Sequence, residues 1–286
     1  MASLRQIRRR MKSIDSIHEI TKAMEMIAAF RYKRAETRWS KSKNYLVEME
    51  SLVSRLSAAA EDLSHPLFED RKIQKKALIV MTGDKGLCGA YNANILRMAS
   101  QWLKDNKDFE ASLVPVAKIG HEFFKKRQIP FLRAYPEKTT ADLLLAKKMT
   151  AELTGDYLNK KVDSIEVLYT PYKAGGPGQN RIQPFLSLSY LKNSGKKETA
   201  PLDYIFEPDF NGVFLSLIAR YLEGKMYVML LESLTSEHSA RRIAMKQATE
   251  NAEEVLDNLR LLRNKTRQAT ITRELSEIVS GASVLV

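Results

Sequence analysis

The segment LRQIRRRMKSIDSIHEITKAMEMI, residues 4–27, begins a long helical pattern that governs the architecture of this chain. Neither glycine nor proline occurs before Pro66, so the sequence predicts one helix over about residues 3–63. A helix of that length needs a partner helix, because intrinsic propensity alone does not hold it together. Its apolar side chains recur every three or four residues, close to the repeat of a coiled coil. They are Leu4, Ile7, Met11, Ile14, Ile17, Ile20, Met24 and Ile27.

A second long helix is predicted at the other end of the chain, where no proline follows Pro208. The two helices can pair antiparallel if a compact insert joins them. We therefore expect an N-terminal coiled-coil helix over residues 1–65, an insert over 75–208 and a C-terminal coiled-coil helix over 209–286. The expected stripe of the second helix is Ile243, Gln247, Ala248, Ala252, Val255, Leu256, Leu259, Leu262, Thr266 and Ala269.

The insert changes from a helical period to alternating strands and helices, which is typical of an open, largely parallel α/β layer. A loop at 174–180 separates the last two predicted strands. The fold class is thus α+β or α/β: a long antiparallel two-helix coiled coil carrying an inserted Rossmann-like α/β domain. Strands are predicted at 77–82, 112–116, 130–134, 164–169 and 181–190. Helices are predicted at 92–103, 120–127 and 140–158, the last opened by a Thr cap with Asp142 in its first turn.

Composition excludes several classes of protein. The single cysteine, Cys88, excludes an internal disulfide and a cysteine-based zinc cage. The longest apolar runs, 77–81 and 226–231, are far shorter than the roughly 20 residues that cross a bilayer. No histidine spacing is typical of a metal site, and no hydrolytic triad stands out. The sequence therefore indicates neither an active site nor a bound cofactor or metal.

Positive charge is concentrated at the N-terminus. Residues 1–45 carry 12 Lys and Arg but 4 Asp and Glu, within a net charge of +12 for the chain. Such a surface attracts nucleic acid, an anionic membrane or an acidic protein face. Aromatic side chains between the basic ones, such as Trp39 and Tyr45, make a basic coiled-coil nucleic-acid-binding protein one interpretation. An acidic protein partner is favoured, because the same helix carries a continuous apolar stripe.

The stretch TGDKGLCGAYN, residues 82–92, places three glycines between a predicted strand and a predicted helix. A loop that cradles phosphate is one interpretation, and it would make the chain a nucleotide-dependent enzyme. However, the stretch has neither the G-x-x-x-x-G-K-[ST] pattern nor the G-x-G-x-x-G pattern. A structural turn is the favoured interpretation.

Several segments resemble the gamma subunit of F-type ATP synthases. Residues 20–29, ITKAMEMIAA, resemble the N-terminal helix of that family. Residues 84–92, DKGLCGAYN, resemble the start of its α/β insert. Residues 236–241, SEHSAR, and 244–252, AMKQATENA, resemble its C-terminal helix, and 267–282, RQATITRELSEIVSGA, resemble its terminal signature. The segments occur in the family's order along the whole chain.

The resemblance implies a rotating central shaft. Its two long helices would turn inside a ring of alpha and beta subunits, and its insert would stand with the epsilon subunit on the membrane-embedded c-ring. Flow of protons or sodium ions would drive the rotation. Nucleotides, magnesium and catalysis would belong to the alpha and beta subunits, so this chain would be non-catalytic and bind no cofactor itself.

The resemblance and the charge pattern together predict which residues contact the ring. Lys22 and Met24 would lie where the shaft meets the beta subunits, and a loop of beta would contact the segment 267–274. The uncharged residues 278–286 would make apolar contacts. The absence of a clear presequence favours a bacterial form on the cytoplasmic face of the cell membrane, bound peripherally, without membrane insertion or nucleic acid. The predicted contact residues are Arg8, Arg9, Lys22, Met24, Arg31, Arg34, Arg241, Arg267, Gln268, Thr272 and Glu274.

Overall fold

The computed structural model describes residues 3–59, 66–68, 71–136, 141–173, 176–186, 206–207 and 209–283. A single 3-10 turn, Pro66–Phe68, lies among the described elements. The helices are α1 (Leu4–Ala59), α2 (Tyr91–Asp105), α3 (Lys118–Lys125), α4 (Leu143–Leu158) and α5 (Phe210–Ser283). The strands are β1 (Lys75–Met81), β2 (Glu110–Val116), β3 (Ser164–Tyr169), β4 (Tyr172–Lys173), β5 (Gly176–Pro177) and β6 (Arg181–Pro184).

The chain divides into two compact units, and both long helices contribute to each. The first unit joins the residues up to Ala29 with those from Arg241 onward. The second unit is Phe30–Ala240. Each unit therefore contains a segment of α1 beside a segment of α5.

In the first unit, α1 and α5 pack along a seam that differs from the predicted stripe. Ile7 and Ala28 are buried on α1, and the hydroxyl of Thr249 on α5 donates a 3.0 Å hydrogen bond to the hydroxyl of Thr21. Ile17, Ile20 and Ile27 are instead 46%, 58% and 54% exposed. The prediction for these three was wrong.

The cause is the period of the pattern. The predicted stripe advances by about 3.3 residues on average, so it rotates away from a partner that a 3.5-residue repeat would keep facing. On α1 the less exposed positions continue through His18 and Thr21 instead of Ile17 and Ile20. On α5 the same shift leaves Ile243, Val255 and Leu262 exposed. Within this unit the buried α5 residues are Met245 and, from the predicted stripe, Ala252, Leu256 and Leu259.

In the second unit the same two helices run antiparallel. The indole Nε1 of Trp39 donates a 3.1 Å hydrogen bond to Glu232 Oε1. Further along α1, Tyr45 and Leu46 lie beside Gly224, which comes earlier in α5. Residues later in α1 therefore contact residues earlier in α5. The predicted antiparallel helix pair is confirmed.

The sheet of the second unit has the strand order β2-β1-β3-β6. β1 pairs in parallel with β2 and β3, whereas β6 pairs antiparallel with β3. The largely parallel α/β layer is thus confirmed. The predicted strand at 130–134 is reduced to isolated bridges from Phe131 and Tyr135 to β2. Within the predicted loop at 174–180, β5 pairs with β4 as a short hairpin.

The start of α4 differs from the prediction. Asp142 is the N-cap residue and not a member of the first turn, and its Oδ1 accepts a 2.8 Å hydrogen bond from the backbone N–H of Leu145. A carboxylate in this position satisfies one of the free N–H groups at the helix start. The predicted cap, Thr140, lies outside the described residues, as do residues 187–190 of the last predicted strand.

Both faces of the sheet are covered. Ala77, Ile79 and Met81 of β1 belong to a core cluster with α4 and with the long helices. Leu78 and Val80, which alternate with them, belong to a second cluster with α2 and α3. A strand buried on both faces reads as a continuous apolar run, which explains the sequence ALIVM at 77–81.

Candidate functional site

The glycine-rich loop follows β1 at the place where open α/β sheets usually bind ligands. From β1 the chain passes through α2 to β2 on one side, and β3 pairs with β1 on the other side. The carboxyl end of β1 is therefore the topological switch point of the sheet. A nucleotide-dependent enzyme of this architecture would hold its ligand in the crevice there.

The first turn of α3 holds the glycine-rich loop in place through hydrogen bonds. Three successive backbone N–H groups, those of residues 118, 119 and 120, donate hydrogen bonds of 2.9–3.3 Å to residues 82–84. These bonds use the N–H groups that a helix start leaves free. The acceptors are Asp84 Oδ1, the Gly83 carbonyl and Thr82 Oγ1.

The crevice itself is occupied by α5. The Tyr91 hydroxyl donates a 2.9 Å hydrogen bond to the Ser233 carbonyl, and the Ser236 hydroxyl donates one of 3.0 Å to the Pro171 carbonyl. Burial and the nearby charge of Glu237 raise the pKa of Tyr91, whose hydroxyl remains a neutral donor. The side chain of Glu237 lies against Gly83 and is 5% exposed. This arrangement supports the structural interpretation of the loop.

A second polar cluster joins α1 to β4. The hydroxyls of Tyr32 and Tyr172 contact each other, and each donates to Glu36 Oε1, at 2.9 and 2.7 Å. Lys33 forms an ion pair of 2.8 Å with Glu36 Oε2. Hydrogen bonds from Lys33 and from Tyr172 lower the pKa of Glu36 to about 2. Trp39 packs edge-on against the Tyr172 ring.

A cavity of about 430 Å³ lies between α1, β6 and α5. Two ionisable side chains in its wall are buried. Lys225 Nζ donates to the carbonyls of Pro184 and Phe185 at 3.1 and 3.2 Å, and burial lowers its pKa to about 8. Burial also raises the pKa of Glu232, which accepts the hydrogen bond from Trp39.

The residues predicted to contact a ring lie mostly on the surface of the long helices. Met24 and Arg241 are half-buried. The side chains of residues 280–286 lie outside the described part, whereas Ile278 and Val279 are each 67% exposed. The roles of all of them stay predictions. The exposed ones are Arg8, Arg9, Lys22, Arg31, Arg34, Arg267, Gln268, Thr272 and Glu274.

Sequence reasoning did not find Glu36, Tyr172 or Glu237. Glu237 lies in the segment 236–241, whose resemblance to the C-terminal helix of the gamma-subunit family does not predict a contact with the glycine-rich loop. No local pattern marks Glu36 or Tyr172. Among the described residues, no group of His, Cys, Asp and Glu side chains is arranged to hold a metal ion. No helix in that part of the chain is both long enough and apolar enough to span a bilayer.

Similarity to solved structures agrees with the observed architecture. The chain is similar to a central-stalk chain of the Tetrahymena thermophila mitochondrial ATP synthase, with a TM-score of 0.62 and 22% identity over 80% of this chain and 99% of that one. It is also similar to a chain of the Euglena gracilis mitochondrial ATP synthase, with a TM-score of 0.65 and 16% identity over 99% and 94%. At such identities the likeness shows the fold.

Sequence similarity identifies the family. A family described as ATP synthase matches residues 3–285. The ATP synthase gamma chain of Protochlamydia amoebophila is 37% identical over the full length of both chains. That of Moorella thermoacetica is 35% identical, again over the full length of both. The chain therefore belongs to the ATP synthase gamma-chain family.

Proposed function

We propose that the chain is the central-stalk rotor subunit of an F-type ATP synthase and couples ion-driven rotation of a c-ring to ATP synthesis and hydrolysis. The observation that carries this proposal is the full-length family match of residues 3–285, over a fold built on two paired long helices. A stalk must transmit force along its length, and long helices packed side by side suit that task better than separate short ones.

The proposed partners are the alpha and beta subunits around the helices, with the epsilon subunit and the c-ring at the α/β layer. Six of the nine exposed contact candidates are arginine or lysine, which suits a surface that meets acidic partners. A single exposed ion pair contributes about 0–1 kcal/mol. Torque transfer is therefore proposed to be shared among many weak contacts.

Catalysis is proposed to take place on the beta subunits, which together with alpha would hold the nucleotides and magnesium. The crevice at the carboxyl end of β1 supports this assignment, because Ser233, Ser236 and Glu237 of α5 fill it. Because α5 occupies this crevice, the interpretation of the chain as a nucleotide-dependent enzyme is not favoured. The nucleic-acid interpretation finds no support in the family.

The proposed location is the cytoplasmic face of a bacterial cell membrane, as a peripheral part of the synthase. The gamma chains that support it come from bacteria such as Moorella thermoacetica. The coupling ion is proposed to be a proton or a sodium ion.

Rotation of this chain inside an assembled head, the complex of alpha and beta subunits, tests the proposal. The chain would be combined with the alpha and beta subunits of its own organism, and a bead attached through a cysteine introduced at the exposed Lys107. We expect one-way rotation of the bead on addition of magnesium ATP. A head that hydrolyses ATP while the bead stays still would overturn the proposal. Binding of duplex DNA by the chain at physiological salt would favour the alternative.

A further inference from the structure

The contact between Gly83 and Glu237 joins the α/β layer to α5 within the second unit. Gly83 is buried, and Glu237 is 5% exposed. A Cβ atom added at residue 83 would lie 2.8 Å from Cδ and 2.9 Å from Oε1 of Glu237. Non-bonded carbon atoms do not approach so closely, so a side chain at residue 83 would require either Glu237 or the loop backbone to shift.

The loop cannot retreat from that contact. The backbone N–H of Gly83 donates a 2.9 Å hydrogen bond to Asn92 Oδ1, and its carbonyl accepts one of 3.3 Å from Ile119. On either side, Thr82 and Asp84 are held by further donors from the first turn of α3. Displacement of Gly83 would therefore break bonds at both neighbouring residues.

The carboxylate also lacks room to move. A glutamate side chain is flexible, and an exposed one would swing into water at little cost. At 5% exposure Glu237 has little solvent beside it into which it could move. An alanine at 83 would therefore push on the helix that carries Glu237 or expel the carboxylate from the crevice.

Gly86 provides a contrast within the same loop. A Cβ atom added there meets nothing within 4 Å, and the residue is exposed. The left-handed positions of this loop are Leu87 and Gly89, each with φ 59°, and neither Gly83 nor Gly86 is among them. The two glycines therefore differ in the space around them and not in a need for unusual backbone angles.

We infer that Glu237 is a positioning residue, which fixes α5 in the socket formed by Gly83 and its hydrogen-bonded neighbours. Load applied to the α/β layer then enters α5 through this contact, with the Tyr91–Ser233 and Ser236–Pro171 hydrogen bonds beside it. The inference rests on the proposed rotor function. It assigns the glycine-rich loop to force transfer within the chain.

The test uses the whole ATP synthase in membrane vesicles and measures ions pumped per ATP hydrolysed. The variants are Gly83→Ala, the control Gly86→Ala, Glu237→Ala and the double variant Gly83→Ala with Glu237→Ala. We expect Gly83→Ala and Glu237→Ala each to lower the number of ions pumped per ATP by about threefold or more, because residues in contact are energetically coupled. Gly86→Ala keeps the wild-type ratio.

The double variant separates a lost contact from general damage. Removal of the Glu237 carboxylate makes room for the methyl group introduced by Gly83→Ala, so the double variant should match Glu237→Ala alone. If Gly83→Ala does not assemble, assembly of the double variant supports the inference, and failure of both overturns it. A wild-type ratio of ions pumped per ATP in either Gly83→Ala or Glu237→Ala also overturns the inference. A wild-type chain that supports no ATP-driven pumping would contradict the rotor function instead.

Discussion

The hydroxyl of Tyr172 donates a 2.7 Å hydrogen bond to the carboxylate Oε1 of Glu36, which joins the β4–β5 hairpin to α1. Tyr32 donates to the same oxygen atom from one turn earlier in α1. A hydrogen bond to a charged acceptor stabilises a fold more than one between neutral groups. The pair therefore links the α/β layer to a long helix independently of the Gly83 socket.

The pH dependence of unfolding should reveal this link. The folded-state pKa of Glu36 is about 2, below its ordinary value of 4.5. The stabilisation is therefore complete above pH 4.5 and is lost as the pH falls from 4.5 towards 2. We expect Glu36→Gln to reduce this loss, measured as the free energy of unfolding by urea at several pH values. An unchanged slope in the variant would contradict the assignment.

Removal of the Tyr172 hydroxyl should weaken the same link at neutral pH. We expect Tyr172→Phe to lower the free energy of unfolding by about 1.5–3 kcal/mol, the range for hydrogen bonds to charged groups. Tyr45→Phe is the matched control, because the Tyr45 side chain is 53% exposed. Equal effects of the two substitutions would show that the Glu36 contact adds no stability.

Lys225 should give the opposite trend with pH. Its folded-state pKa of about 8 lies below the ordinary 10.5, because burial disfavours the charged amine. The cost of burying the charge is complete below pH 8 and is relieved as the pH rises towards 10.5. We expect wild type to gain stability relative to Lys225→Met over pH 8–9.5, by at most about 1.4 kcal/mol per pH unit. The exposed Lys246→Met serves as control, and a flat difference would refute the shift.

The corrected seam of α1 is testable with two isoleucines of the same helix. Ile7 is 3% exposed, whereas Ile20 is 58% exposed. We expect Ile7→Ala to cost about 2–4 kcal/mol of unfolding free energy, as buried aliphatic truncations do. Ile20→Ala should change it by less than about 0.5 kcal/mol. Amide hydrogen exchange of residues 4–28 gives the local measurement, and a reversed order would restore the original stripe.

Charge reversal tests the proposed contacts with a surrounding ring. Single reversals of Arg8, Arg9, Arg31 or Arg34 should leave the coupling of pumping to hydrolysis nearly unchanged, because each exposed pair contributes about 0–1 kcal/mol. All four reversed together should lower that coupling while the head stays assembled. The control replaces the same four arginines with lysine, which keeps their charge, and full coupling in the fourfold reversal variant would contradict the proposal.

The two long helices and the α/β layer between them follow from local sequence patterns. Proline and glycine are the strongest local breakers of helices, and their absence before Pro66 left α1 uninterrupted. The apolar run at 77–81 likewise identified the central strand, because side chains on both faces of that strand are buried. The family motifs were also readable from local sequence alone.

The buried face of each long helix and the close contact at Gly83 depend instead on residues that are far apart in the sequence. Ile20 and Thr21 are neighbours on α1, and the less apolar one faces α5 because helix pairing follows the geometry of the partner, not the hydrophobicity of one residue. Gly83 and Glu237 lie 154 positions apart in the sequence. No local pattern can report that a distant carboxylate will occupy the space of a Cβ atom, since steric contact between remote residues exists only once the chain has folded.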